Sequence, residues 1–476
     1  MDCNLFELNA GSVKGLDKDA AEKLEKLISA YNYHLSKNEL KNEFYEGHIS
    51  LRSVNLGIAL PEGMKGLEIG CEWGGKCVDV LAARSMFDGY VGKTGETADT
   101  MNGIMEANRL RFEYMKACRD ELKFGCTFAT LSAGGAAGCK IRFHSPQTAA
   151  GLWSGEKGRI DCGMAIIDTK KDESDKLWKP SLVNLYTDTD IWVLKRIGSE
   201  WIASRFPHKM GRPLMEPMIW NATNSKPFGR SRIKEPIRRL IQGYVRTIAN
   251  ATIGLEFATA PQKYLMGVTD EQCNALVGQK FKQYVGNIIA ATRNPETGEN
   301  PTFGQLTQGS IEPHVQMIRI LATQFSAATG LPVTDTGVIN DANPTSSDAI
   351  IAQTQTLVTL AEQLNAGNGE ALKTIALMAQ AISRDVTIEE LTEEERDVIA
   401  HFRNPAMPSV AATADAATKI ASARSDFAQT DVYLEMVGFD QADVRRIKAQ
   451  EQRTRGLRLM EQAEEIEPKE PEEGEE

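Results

Sequence analysis

The chain has 476 residues, of which 42% are hydrophobic and 25% charged, a globular balance with room for roughly two to four structural units. It contains no apolar run of about eighteen residues and no basic leader before an apolar segment, so a soluble protein with no membrane span and no secretion signal is expected. The formal charge of −11 is uneven: residues 461–476 hold nine Glu and one Lys, a tail too polar to pack and expected to be disordered, while the body is close to neutral. The tail either aids solubility or acts on a partner, by meeting a basic one or repelling like a DNA mimic.

The first predicted element is an amphipathic helix over 16–40, with Leu24, Leu27, Ile28, Tyr31 and Leu35 on one stripe and Asp17 at its start. FYEG at 44–47 reads as a turn. After Glu72, the spacing of Val78, Leu81, Ala82 and Met86 is again helical, and a further helix is predicted over 97–122. The period then changes, with strands expected at 124–131, 140–144, 164–168, 182–187 and 191–195. Helices before an antiparallel sheet make this an α+β unit. Its glycine-rich turn, 132–140, ends in Lys140, but it lacks the Gly-Lys-Ser/Thr ending and the strand-to-helix setting of a phosphate-binding loop. A hairpin turn is the better reading. Eight cysteines, at 3, 71, 77, 118, 126, 139, 162 and 273, show no metal-ligand spacing and read as buried thiols of a reducing compartment.

A helix is predicted over 231–257, and around it lies a basic patch: Lys226, Arg230, Arg232, Lys234, Arg238, Arg239 and Arg246, with Glu235 the one acid between. Such a patch is either a solvated helix face or a contact for a subunit or phosphate. An insertion over 259–309 follows, containing a strand-like YLMGV, a helix over 270–278, a strand-like KQYVGNIIAAT and a Pro/Gly-rich return.

Next comes a helix from Ser310 to Gly330, with Ile311, Val315, Ile318, Ala322 and Phe325 in register. Ser310 and Gly330 suit its two ends, and Leu331-Pro332 stops it. The loop VTDTGVINDANPTS leads to Thr345 and Asp348, a capping pair for a second long helix carrying Ile350, Leu357, Ala361 and Leu364. From 331 to 347 there is no Lys or Arg. Two helices joined by such a loop also describe an ordinary hairpin. Beyond DVIAHFRNP the chain is helical from 409, with a break at Gly438. The six His, at 34, 48, 144, 208, 314 and 401, are scattered outside any nucleophile motif, and His314 reads as structural. No enzyme activity, cofactor or metal is expected.

Several stretches, in order, resemble the portal proteins of long-tailed, siphovirus-type bacteriophages: FYEG, CVDVLAARSMFDGY, NRLRFEYMKACRDELKFGCTFATL, KPFGRSRI, FATAPQKYLMGV, SAATGLP, NPAMPSVAATADAATKIAS and EMVGFDQADVRRI. The Cys/Gly-rich GLEIGCEWGGKC departs from that pattern. The resemblance implies a multidomain α+β, mainly helical portal fold that assembles into a ring. The expected parts are an α+β wing (1–225), a first stem helix (226–258), a clip (259–309) and a second stem helix (310–329). A tunnel loop (330–346), a long kinked helix returning to the wing (347–404), a helical crown (405–460) and the acidic tail (461–476) complete it. It further implies a closed ring, typically a dodecamer, at one capsid vertex, through which double-stranded DNA is packaged and ejected. Implied partners are the terminase large subunit, the head-tail adaptor and the major capsid and scaffold proteins, met in the host cytoplasm during assembly and in the virion. Val333, Thr334, Asp335, Thr336, Val338, Asn340 and Asp341 would then face DNA, and their lack of cations permits weak, sequence-blind contact. The alternatives are another head-tail adaptor ring, although adaptors are usually shorter, and a nucleotide-binding enzyme using 132–140.

Overall fold

The computed structural model describes residues 8–49, 69–92, 95–171, 178–259, 263–267, 271, 298, 300, 302–305, 310–338, 347–406, 410–439 and 441–465. The chain divides into two units. One comprises Met1–Ser36, Leu81–Ser231 and Leu357–Glu476; the other comprises Lys37–Val80 and Arg232–Thr356.

In the first unit the start of α1 (Lys18–Glu46) covers an antiparallel five-stranded sheet. The strands of that sheet are β6 (Ala149–Ser154), β7 (Arg159–Lys171), β8 (Trp178–Tyr186), β9 (Asp190–Ile197) and β10 (Glu200–Pro207), each paired with the next. Alternation puts Cys162, Met164 and Ile166 of β7 and Val183 and Leu185 of β8 on the covered face, where Leu24, Leu27 and Tyr31 of α1 meet them. The helical stripe read from the sequence is thus the core face, and α1 runs on through 44–46 to stop at Gly47.

A second sheet orders β11 (Met215–Ile219), β4 (Cys126–Ala133) and β5 (Cys139–His144), with α4 (Leu110–Phe124) packed on it. β4 and β5 pair directly from Phe128↔His144 to Ala133↔Cys139, so the Gly-rich segment before Lys140 is a hairpin turn between strands. The helix expected over 97–122 is two helices, α3 (Gly95–Ala107) and α4, broken at Asn108 and Arg109. Asn108 is spent on β5: its Oδ1 accepts from Ile141 N (2.9 Å) and its Nδ2 donates to the Cys139 carbonyl (3.0 Å). β3 (Phe87–Gly92) pairs with β14 (Val398–Phe402), bringing together segments some three hundred residues apart in sequence.

The helix α7 (Ser347–Arg384) buries Leu357, Ala361, Leu364, Leu372, Ile375 and Ala379 along one side. Its capping Thr345 lies outside the described residues. Within the first unit α7 also carries polar contacts. Ser85 Oγ donates to Asn365 Oδ1 (2.6 Å), and Asn368 Nδ2 donates to Tyr114 OH (3.0 Å) and to Glu121 Oε2 (2.8 Å). The C-terminal helices are α9 (Val410–Ala423), α10 (Asp431–Val437) and α11 (Gln441–Glu465), after the single turn α8 (Glu393–Arg396). α11 therefore continues past 460, where the tail was expected to begin; residues 466–476 lie outside the described residues.

All six described cysteines are buried and unbridged, as expected of buried thiols. Among the described residues no helix is long and apolar enough to cross a membrane, and no group of three or more His, Cys, Asp or Glu could hold a metal ion.

In the second unit α5 (Glu235–Thr259) packs against α6 (Glu312–Thr329). Ile233, just before α5, and Ile237, Ile241, Val245, Ala249 and Ile253 on it are all buried, at every fourth position. Gly243 lets Leu321 of α6 come close: a Cβ there would lie 3.3 Å from Leu321 Cδ2. The short strands β12 (Lys263–Met266) and β13 (Thr302–Gln305) pair within the expected insertion, most of which lies outside the described residues. So do the helix expected over 270–278, apart from Glu271, and the strand expected at KQYVGNIIAAT. A two-residue pair, β1 (His48–Ile49) with β2 (Ile69–Gly70), leads into α2 (Trp73–Ala82).

Burial drives the Glu121 carboxyl up to about 8, with the Asn368 amide pulling the other way. The folded chain thus keeps a proton that the unfolded chain releases near the ordinary carboxylate value. Stability is greatest below that value and falls by about 1.4 kcal/mol per pH unit as pH rises toward the folded value. Glu121→Gln keeps the shape and removes the proton. Urea midpoints measured between pH 5 and 8 should fall less steeply in the variant than in the parent, and equal slopes would remove this role for Glu121.

Candidate functional site

The feature that combines an exposed polar segment with a built support is the start of the loop after α6. Pro313 sits in the first turn of α6, where its missing N–H costs nothing, and Ser310 Oγ accepts from Glu312 N (3.2 Å). At the other end Gly330 takes the left-handed conformation (φ 73°), and its N–H donates to the Ser326 carbonyl (2.8 Å). Ser326 Oγ then donates to the Leu331 carbonyl (2.6 Å), and Leu331 is buried. After Pro332 the chain makes one tight turn, Val333–Thr336, closed by Thr336 Oγ1 donating to the Val333 carbonyl (2.6 Å). Thr334 is exposed, while Val333, Asp335, Thr336 and Val338 are half-buried; Asn340 and Asp341 lie outside the described residues. The expected irregular loop thus begins as an ordered turn.

That turn is held from below by Trp73 at the start of α2. Its indole Nε1 donates to the Thr336 carbonyl (3.1 Å), and its ring stacks on Phe325 of α6 (centroids 4.9 Å, planes 30° apart) and lies 4.4 Å from Tyr244 of α5. Gly74 follows because α2 must pass the end of α1 closely: a Cβ at 74 would overlap the Phe44 carbonyl. The Cys/Gly-rich stretch is therefore a packing device. Trp73 was not among the expected site residues, although a tryptophan set beside two glycines marks a large ring where backbones approach.

Arg232 completes the support. It was expected in a basic patch, but it is 9% exposed: Nε donates to the Cys77 carbonyl of α2 (2.5 Å) and Nη2 to the Thr329 carbonyl in the last turn of α6 (2.6 Å). A cation at a helix C-terminus meets the negative end of its dipole, and the planar fork spans two acceptors where an ammonium is a point charge. The neighbouring thiol of Cys77 is pushed up to about 12 by burial, so it stays neutral and competes for none of these bonds.

The other members of the expected patch have other surroundings. Arg238 is half-buried and donates to the Ile233 carbonyl (2.9 Å), and Arg239 pairs with Glu235 one turn back (2.5 Å). Lys226 and Arg230, before the helix, and Lys234 and Arg246 are exposed.

Arg232→Leu should strip the Cys77 and Thr329 carbonyls of their shared guanidinium donor and cost about 3 kcal/mol in urea unfolding, with Arg232→Lys restoring only part. Hydrogen exchange at 331–338 should quicken in both. Parental stability in the leucine variant would show that the guanidinium is not the anchor.

With this geometry in view, the family model for phage portal proteins of the SPP1 Gp6-like type matches residues 16–456. The portal protein of Mycobacterium phage D29 is 24% identical over 417 residues, 84% of this chain and 82% of that protein. The portal protein of Mycobacterium phage L5 is 25% identical over 417 residues, 85% and 82% of the two chains. Among solved structures, a chain of the native gene transfer agent virion overlaps with a TM-score of 0.43 at 11% identity, covering 74% of this chain and 84% of its own. A chain from the neck of the native gene transfer agent particle, computed with C12 symmetry, overlaps at 0.42 and 11% identity, covering 77% and 89%. Overlaps this loose carry no weight beside the family match. From Leu16 almost to the end of its last described helix, this chain belongs to the SPP1 Gp6-like family of phage portal proteins.

Proposed function

We propose that copies of this chain close into a ring at one vertex of a phage capsid, probed by duplex DNA during packaging and again during ejection. The observation that carries this reading is the family match over residues 16–456. In it, residues 1–225 form the wing, 226–258 and 310–329 the stem helices, 259–309 the clip, 330–346 the tunnel loop, and 347–404 the long helix with its return. Residues 405–460 form the crown. The terminase motor, the head-tail adaptor, and the capsid and scaffold proteins dock on this ring in the host cytoplasm and then in the virion. Chemical energy comes from the motor, and this chain supplies the passage.

Physical features support the assignment. α5 has 25 residues and α6 has 18, so at 1.5 Å per residue they are about 37 and 27 Å long, enough for the wall of a passage. A ring needs two different faces per copy that meet head to tail and close. The loop from 331 to 346 holds Asp335 and Asp341 and no cation. Each phosphate neutralised by Lys or Arg releases counterions and strengthens binding, so such a loop can approach a moving duplex without gripping it. Trp73 and Arg232 then fix where the loop begins, leaving its contact weak but its position defined.

Electron microscopy of the purified chain should show rings with a central hole; compact monomers at every concentration would remove the reading. Replacing Asp335 and Asp341 by Lys should leave ring assembly intact and lower packaging yield by about tenfold, through added phosphate contacts. Failure of that variant to assemble would place these residues at a subunit contact instead.

A further inference from the structure

In the first unit a cleft of about 470 Å³ opens beside β5 and the start of α4. Three cations line it: Arg109, Lys140 and Arg142. All three are exposed, and none has a side-chain hydrogen bond or ion pair with another described residue. The one carboxylate in the lining, Glu113, is held by Lys116 at 2.7 Å. His144 adds no charge, because burial and then Arg142 push its imidazole down to about 4.

The start of α4 adds to the imbalance. Its N-cap is Arg109, in the left-handed conformation (φ 52°) and without a side-chain cap. The position favours Ser, Asp or Asn, whose oxygens would satisfy the free N–H groups, and a cation faces the positive end of the helix dipole. Keeping other strands off the β5 edge does not require these charges, since Asn108 already occupies the outward Cys139 carbonyl and Ile141 N–H. Positive charge without a counterpart among the described residues has been gathered beside the apolar Phe143 and Ile166.

We propose that this cleft takes the acidic C-terminal segment, residues 466–476, of a copy of this chain. Two stretches of the chain are this acidic, 389–397 and 466–476; the first is tied into its own capped turns, so the second is the complementary stretch the chain offers. It holds six Glu and one Lys, with prolines at 468 and 471. Lys140 and Arg142 are two apart on one strand face, about 6.7 Å, and the pairs Glu470/Glu472 and Glu473/Glu475 repeat that step in an extended chain. Apolar lining beside the cations suits a polypeptide better than a phosphate backbone. The inference does not depend on the portal reading.

The test uses the full-length chain and a carbodiimide, which activates a carboxyl so that a touching lysine amine displaces the urea and forms an amide. Mass spectrometry should find Lys140 joined to glutamates of 466–476 at about fivefold or more the yield of the exposed controls Lys170 and Lys171. High salt should lower that yield, as should Arg109→Gln with Arg142→Gln. Mixing isotopically heavy and light copies then tells whether the segment comes from the same chain or a neighbour. Equal yields at Lys140 and the controls, or no joined product, would overturn the proposal. So would protection of Lys140 from acetylation by duplex DNA without any joined product, which would mark a nucleic-acid surface. Circular dichroism confirms that the exposed variants fold. Electron microscopy of the same sample reports separately on ring formation.

Discussion

A guanidinium buried among main-chain carbonyls is the constraint on which the second unit depends. Arg232 joins α2 to the last turn of α6 from just before α5, and it does so with groups that water would otherwise satisfy. Removing such a donor leaves buried acceptors with nothing in exchange, so the interaction fixes geometry more than it adds net stability. Trp73 converts that fixed geometry into a defined starting point for the loop, through one hydrogen bond and two aromatic neighbours.

The first unit is held by different physics. Its larger sheet is sealed by apolar contact with α1, a non-directional force that tolerates modest change in shape. Around α7, in contrast, the core admits Ser85, Tyr114, Glu121 and Asn368 to the interior and joins them by hydrogen bonds. Among the described residues Glu121 Oε1 and Asn368 Oδ1 have no partner, which is a lesser penalty for a carboxyl that keeps its proton than for a buried anion. Directional bonds of this kind select one register for the long helix.

Much of the helical framework was legible because it rests on period. The stripe on α1, the packed face of α7 and the Gly330 stop are local patterns that any partner surface would use in the same way. What sequence reading missed depends on contacts distant in the chain. The break between α3 and α4 exists because Asn108 is needed by β5. β11 was not among the expected strands; its Pro217 is a signal against a strand that a sheet edge tolerates. β3 and β14 are short, and their pairing joins residues far apart in sequence. Arg232 misled most: a run of cations normally signals solvent, and nothing in a sequence announces that two carbonyls wait for one of them. Trp73 was legible in identity but not in role, since its partner atom is backbone.

The row of apolar residues from Ile233 to Ile253 has a mechanical meaning. With 3.6 residues per turn, each step of four overshoots a full turn by about 40°, so over the four steps on the helix, Ile237 to Ile253, the row winds nearly half-way round the cylinder. Such a thread cannot be matched by a flat neighbour, and β2 and α6 both contact α5. Any displacement of α5 that keeps its thread covered must turn as it advances, like a bolt in a nut.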